Sequence, residues 1–321
     1  MDQAATLRQI VEQQKRSRPA PRPAAAGPGP RVIAVTSGKG GVGKTNTVLN
    51  IGLALSRLQR RVLLLDADMG LANLDVLLGL TPRYTLEHVL AGHKDLSDVV
   101  LQGPLGLRIL PSSSGISELS ELSLEEQTRL FTELSRIDEE VDYLFIDTGA
   151  GISSNVMRFN ASAGEVYVVV SPEPTSMTDA YALMKLLAIK YHVRDFGLIA
   201  NSVLSEADGQ AVFDRLNRVC GQFLQARLTF LGSVPLDKHV QKAVRQQRAL
   251  LELYPHSPAG RSLARIAAVI DQNGLLGSRA GGRAPAPAGP ALGSASPAAA
   301  PAASPSGAAF WDRLLHWRKA K

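Results

Sequence analysis

The chain has 321 residues, 45% of them apolar, and a single cysteine. It can bury a sizeable core but can form neither an internal disulfide nor a cysteine-paired iron–sulfur cluster. The formal charge is +6, yet residues 1–30 carry +3 and 276–321 carry +5, so the middle of the chain is slightly acidic, which argues against direct nucleic-acid binding by the body.

Residues 1–16 place Ala4, Leu7, Ile10 and Val11 on one narrow helical stripe. A free helix that short is barely stable in water, so the segment is expected to act through a partner. Residues 17–30 are too rich in proline for helix or central strand and read as a linker. From 31 to 275 the pattern alternates. β-rich runs lie at Val32–Thr36, Arg61–Asp66, Leu107–Leu110, Tyr143–Asp147, Glu165–Ser171, Phe196–Asn201 and Thr229–Val234. Helical patterns fall at 44–59, 118–138, 174–191, 205–225, 237–248 and 258–273. Several strands are apolar on consecutive residues, as strands covered on both faces are. The expectation is one α/β domain with a mainly parallel, doubly wound sheet and its ligand beyond the carboxyl ends of the strands.

Residues 276–308 form an Ala/Pro-rich linker with almost nothing to bury. In 309–321, Phe310, Trp311, Leu314, Leu315 and Trp317 share one arc at helical spacing, with basic residues nearby. That predicts a helix lying in a membrane interface, where anionic lipid adds about 1 kcal/mol per basic residue; the alternative is a helix packed back on the body or on a partner protein. No apolar run reaches the roughly 18 residues of a spanning helix, and no signal peptide is visible. A cytoplasmic chain, peripheral on the inner face of the cell membrane, is expected. Cys220 sits among helical apolar positions and reads as core, and His88, His93, His192, His239 and His256 show no ligand spacing.

The segment SGKGGVGKT, Ser37 to Thr45, fits G-x-x-x-x-G-K-[ST] between a strand and a helix. Gly38, Lys39, Gly40, Gly41, Val42, Gly43, Lys44, Thr45 and Asn46 form the candidate phosphate cradle of a P-loop NTPase. Lys44 should reach the β/γ-phosphates and Thr45 should bind Mg²⁺. Asp66 and Asp68 stand where the apolar strand RVLLL ends. Asp147 ends the strand YLFI, the place of a Mg²⁺-holding Walker B aspartate. Lys39 is one lysine more than such a loop needs.

KGGVGKT, LLDADMGLANLD and FIDTGAGI together resemble the deviant Walker A ATPases of the MinD/ParA group. The resemblance implies ATP and Mg²⁺ as cofactors, ATP hydrolysis, and an ATP-dependent homodimer in which Lys39 crosses to the partner's phosphates. It implies that Asp68 orients the attacking water, that Asp66 supports Mg²⁺, and that Asp147 and Gly151 sense the γ-phosphate. It places adenine near Asn201 and the loop carrying Pro235 and Asp237, and Asp179 near the dimer face. The N-terminal D-Q-A-x-x-L-R, with SPEPTSMTDAYALMK, is similar to the FlhG (FleN, YlxH) family of flagellar-number regulators. That family implies stimulation of the flagellar GTPase FlhF through Gln3, with rotor-ring proteins and a transcription activator as further partners. A ParA-like DNA-partitioning ATPase is the alternative, and it would need a basic patch on the dimer body.

Overall fold

The computed structural model describes residues 29–68, 74–111, 132–134, 136, 140–279 and 307–315. Eight strands form one sheet in the order β3-β4-β2-β5-β1-β6-β7-β8. They are β1 (Arg31–Ser37), β2 (Val62–Ala67), β3 (Leu101–Gln102), β4 (Arg108–Leu110), β5 (Tyr143–Ala150), β6 (Glu165–Val170), β7 (Asp195–Val203) and β8 (Arg227–Pro235). All neighbours pair in parallel except β3 with β4. The expected fold class therefore holds.

The strands sit centrally because both faces are covered. Ile33 and Val35 of β1 and Phe145 of β5 enter one core, with Leu49 and Leu53 of α1 (Lys44–Arg57). That side also carries α2 (Leu74–Leu77) and three later helices, α8 (Lys238–Arg245), α9 (Leu250–Leu253) and α10 (Pro258–Arg279). Val32, Ala34, Leu144 and Ile146 point the other way, toward α3 (Leu86–Leu90), α4 (Leu96–Val99) and α5 (Ser154–Ser162). A third cluster packs α6 (Pro174–Tyr191) and α7 (Glu206–Leu224) on β6 and β7 and includes Cys220, which is buried as expected. Burial pushes the Cys220 thiol up to about 11.

Short α2–α4, α9 and β3 and the nine-residue α5 are additions to the predicted elements; most of the helix expected at 118–138 lies outside the described residues. At the base of the sheet Arg31 donates to both carboxylate oxygens of Glu165 (2.8 Å each) and to Ile270 O (2.6 Å). Asp271 accepts from Arg60 (2.8 and 3.0 Å) and from the Tyr143 hydroxyl (2.8 Å). These contacts bind α10 to the amino ends of β1 and β5.

The last described helix, α11 (Gly307–Leu315), lies against α5 and β1. Phe310, Trp311 and Leu314 are 0%, 3% and 0% exposed and join Phe159, Val32 and Ala34. Here Phe310, Trp311 and Leu314 of the arc cover the central sheet beside α5, the packing on the body that the sequence left open as the alternative to a membrane interface. The Leu315 side chain and Trp317 lie outside the described residues, as do Gln3 and all of residues 1–16.

Candidate nucleotide site

β1 ends at Ser37 and α1 starts at Lys44, so the loop between them lies at the centre of the sheet's carboxyl edge. Gly43 caps α1 with φ 85°, a left-handed conformation that side chains resist. A Cβ there would also meet Asn201 Nδ2 at 2.3 Å. Gly38 is required by contact rather than conformation: its Cβ would fall 2.1 Å from the backbone of Asp179 in the second turn of α6. The loop is thus pinned between β7 and α6.

Lys44 Nζ donates to Asp147 Oδ1 at 2.5 Å, with Lys44 7% and Asp147 0% exposed. Burial pushes the Asp147 carboxyl up, against the pull of Lys44 and the Thr45 hydroxyl, and the charge of Asp68 adds to the rise. Asp147 Oδ2 is buried and has no hydrogen-bond partner among the described residues. An orphaned carboxylate oxygen beside a threonine hydroxyl fits Mg²⁺, a hard cation that takes one or two protein oxygens and completes its shell with phosphates and waters. Asp66 also shapes the loop that presents Asp68, since its Oδ1 accepts from Asp68 N (3.1 Å) and its Oδ2 from Leu74 N (3.2 Å). Gly149 lies beside Asp68, a Cβ there falling 3.5 Å from Asp68 Oδ1, and Gly151 N donates to Ser37 O (2.9 Å). The end of β5 and the residue after it therefore lie beside Asp68 and the last residue of β1.

Lys39 does not point into its own cradle. Nζ donates to Glu173 Oε2 (2.7 Å) and to Thr175 Oγ1 (3.1 Å), both at the start of α6. Sequence reasoning gave these two residues no role. The only signal was an acid between two prolines, which reads equally well as an ordinary helix-start residue. Asp179 lies in the same helix, one turn beyond Thr175.

A cavity of about 190 Å³ opens beside the loop, lined by Gly43, Asn46, Asn201, Pro235, Asp237 and Gln241 among others. Asn201 Nδ2 donates to Val42 O (2.7 Å). Asp237 lines the cavity, but its carboxylate is committed elsewhere. Oδ1 accepts from His239 N (2.9 Å) and faces His239 Nδ1 (2.8 Å), and Oδ2 accepts from Ala259 N (3.1 Å). It ties the starts of α8 and α10 together. Burial opposes its charge, but these donors more than offset that and hold its carboxyl below the usual range. What Asp237 leaves for a base is its backbone.

Residues 30–195 match the family model described as an AAA domain. The antiactivator FleN of Pseudomonas aeruginosa is 47% identical over 241 residues, spanning 75% of this chain and 86% of that protein. The chain belongs to the FleN/FlhG family of MinD/ParA ATPases. A second family member, the flagellum site-determining protein YlxH of Helicobacter pylori, is 32% identical over 241 residues, 75% of this chain and 81% of its own. The MinD cell division protein of Aquifex aeolicus superposes with a TM-score of 0.60 at 28% identity, covering 75% of this chain and 97% of that one. Every FleN/FlhG-type position expected in the phosphate cradle lies in the one loop between β1 and α1 or in the first turn of α1.

Proposed function

We propose that this chain is an ATP-hydrolysing switch whose ATP state is a homodimer. The observation that carries the reading is the placement of Lys39. A cation at the rim of a phosphate loop, held away from that loop by Glu173 and Thr175, is available to a pocket other than its own. In the dimer it leaves these partners and meets the phosphates bound by the facing copy. Asp179 and exposed Ile152 border that face. Lys44 would turn from Asp147 to the β/γ-phosphates, and Asp147 and Thr45, with Asp66 in support, would hold Mg²⁺. That ion, when bound, neutralises charge on the phosphate oxygens. Asp68 orients the attacking water, and loss of the γ-phosphate lets Gly151 and its loop relax.

The base is read as adenine. With Asn201 Nδ2 tied to Val42 O, its Oδ1 is presented as an acceptor, which suits the exocyclic amine of adenine and repels the carbonyl of guanine. Pro235 and the Asp237 backbone close the other side.

Release of α11 is the second half of the cycle. Docked, its apolar arc is spent on the body; freed, Phe310, Trp311, Leu314, Leu315 and Trp317 enter an anionic membrane, and two helices per dimer bind together far better than one. The output, following the relatives' names, is control of flagellar number and placement. Partners are an FlhF-like GTPase engaged through Gln3, rotor-ring proteins and a transcription activator. The test is liposome co-sedimentation of the full chain with ATP, with ADP, and without residues 309–321. The reading predicts pelleting with ATP only when those residues are present; equal pelleting in all three contradicts it.

A further inference from the structure

Helix α5 begins directly after the loop that touches Asp68 and Ser37, and it is buried along Val156, Met157, Arg158, Phe159, Asn160 and Ser162. Arg158 is 6% exposed and has no carboxylate partner among the described residues. Its Nε donates to Leu314 O at 2.8 Å and its Nη2 donates to the same oxygen. Leu314 is the next-to-last described residue of α11. The arrangement is mirrored. Arg313 of α11 donates through Nε (3.1 Å) and Nη2 to Ser162 O, the last residue of α5. Each helix is thus gripped by an arginine of the other, and for α5 the cation stands at the negative end of the dipole.

We propose that these two arginines form a reciprocal clasp on α11, and that Arg158, on the body side, is the positioning residue that sets how readily the helix leaves. The proposal rests on the reading above that α11 is released in the ATP state. The choice of partners makes the clasp reversible. A guanidinium bound to a carboxylate of the body would be held there whether or not α11 was present. Bound only to the carbonyl of α11, it passes to water when the helix departs, and no buried charge is stranded. Burial holds the Arg158 pKa down in the docked state, in keeping with a cation that water would solvate better. The clasp also lies on the element that begins at the phosphate-sensing loop: Arg158 is four residues past Ser154, one turn into α5. A turn or slide of α5 when that loop engages phosphate moves the guanidinium off Leu314 O, and Phe159 away from the apolar arc, in one motion. Arg313 behaves differently. It travels with α11, so once freed its guanidinium can meet lipid phosphate.

The chain's own fluorescence reports on the clasp. Its two tryptophans, Trp311 in α11 and Trp317 just beyond it, both lie in the C-terminal segment, so acrylamide quenching of the full chain reads that segment and not the body. Without nucleotide the native chain should be protected. Arg158→Met, which keeps volume and removes every donor, should shift docking by about tenfold or more toward the quenched form before any nucleotide is added. Arg313→Met should do the same. Vesicles separate the two. On phosphatidylcholine alone the variants should bind alike without ATP. On phosphatidylglycerol-containing vesicles Arg158→Met should bind more tightly, because Arg313→Met has also lost its lipid contact. If Arg158→Met is quenched no more than the native chain, the clasp is overturned. If that variant fails to fold, Arg313→Met, whose side chain lies on the exposed face of α11, decides the same point. If the native chain shows identical quenching with and without ATP, the release reading fails instead, and the clasp is judged on the nucleotide-free variants alone.

Discussion

At the level of single residues, the phosphate site is held ready by substitute contacts. Lys44 and Asp147 neutralise each other where phosphate and Mg²⁺ are expected to do so. Removing one partner leaves the other buried and uncompensated, at a cost of about 3–5 kcal/mol. Asp147→Asn should therefore lower thermal stability by about that amount and abolish Mg²⁺-dependent nucleotide binding, read by calorimetry and by a fluorescent ATP analogue. Glu173 is a milder case. Its ion pair with Lys39 is largely exposed, so it is worth at most about 1 kcal/mol. Glu173→Gln should lower the ATP concentration needed for dimerisation, by no more than about fivefold; a higher requirement would show that Glu173 serves the dimer and not the free chain. The phosphate loop was legible in sequence because glycine spacing is itself the function. Glu173 was not, because its partner lies 134 residues away and only the fold joins them. Asp237 was expected beside the base and does line the cavity, but its capping of α8 and tie to α10 were not legible, since they depend on Ala259 arriving beside it.

Among the elements, strands were easier to read than helices. Consecutive apolar residues mark β2, β5 and β6 because both faces are buried. Helix α5 escaped for the same physical reason: packed against the sheet, α6 and α11, it is buried along most of its length, and its buried Arg, Asn and Ser residues resemble a loop. α10 is fastened differently, by charge. Asp271 is opposed by burial, but Arg60 and the Tyr143 hydroxyl more than offset it and hold its carboxyl below the ordinary 3.8. A depressed carboxyl contributes stability above its unfolded pKa and loses it as pH falls through the folded value. The melting temperature should therefore drop as pH falls below about 4, near the unfolded Asp value. Asp271→Asn should be less stable at pH 7 and show a flatter acid limb. An unchanged acid limb would show that the Asp271 contacts to Arg60 and Tyr143 contribute nothing.

For the whole molecule, the claim is that one nucleotide event is read at two distant places. At the carboxyl edge of the sheet Lys39 changes partner, and on the far side of α5 the helix α11 loses its hold. The first is what the motifs lead one to expect, and for the second the sequence left two readings of the C-terminal helix open. Choosing between them required the fold, in which the helix beyond the Ala/Pro-rich stretch covers the central strands, since periodicity marks an apolar arc but not what the arc meets. Both depend on two copies sharing triphosphate. The most direct measurement is the mass of the full chain by light scattering in saturating ATP and Mg²⁺, with Asp68→Ala present so that turnover does not erase the state. The account predicts twice the 34.2 kDa of the chain, falling back to a single chain when Lys39→Ala is added. A mass of one chain with Lys39 intact, or a dimer that survives its removal undiminished, would contradict it.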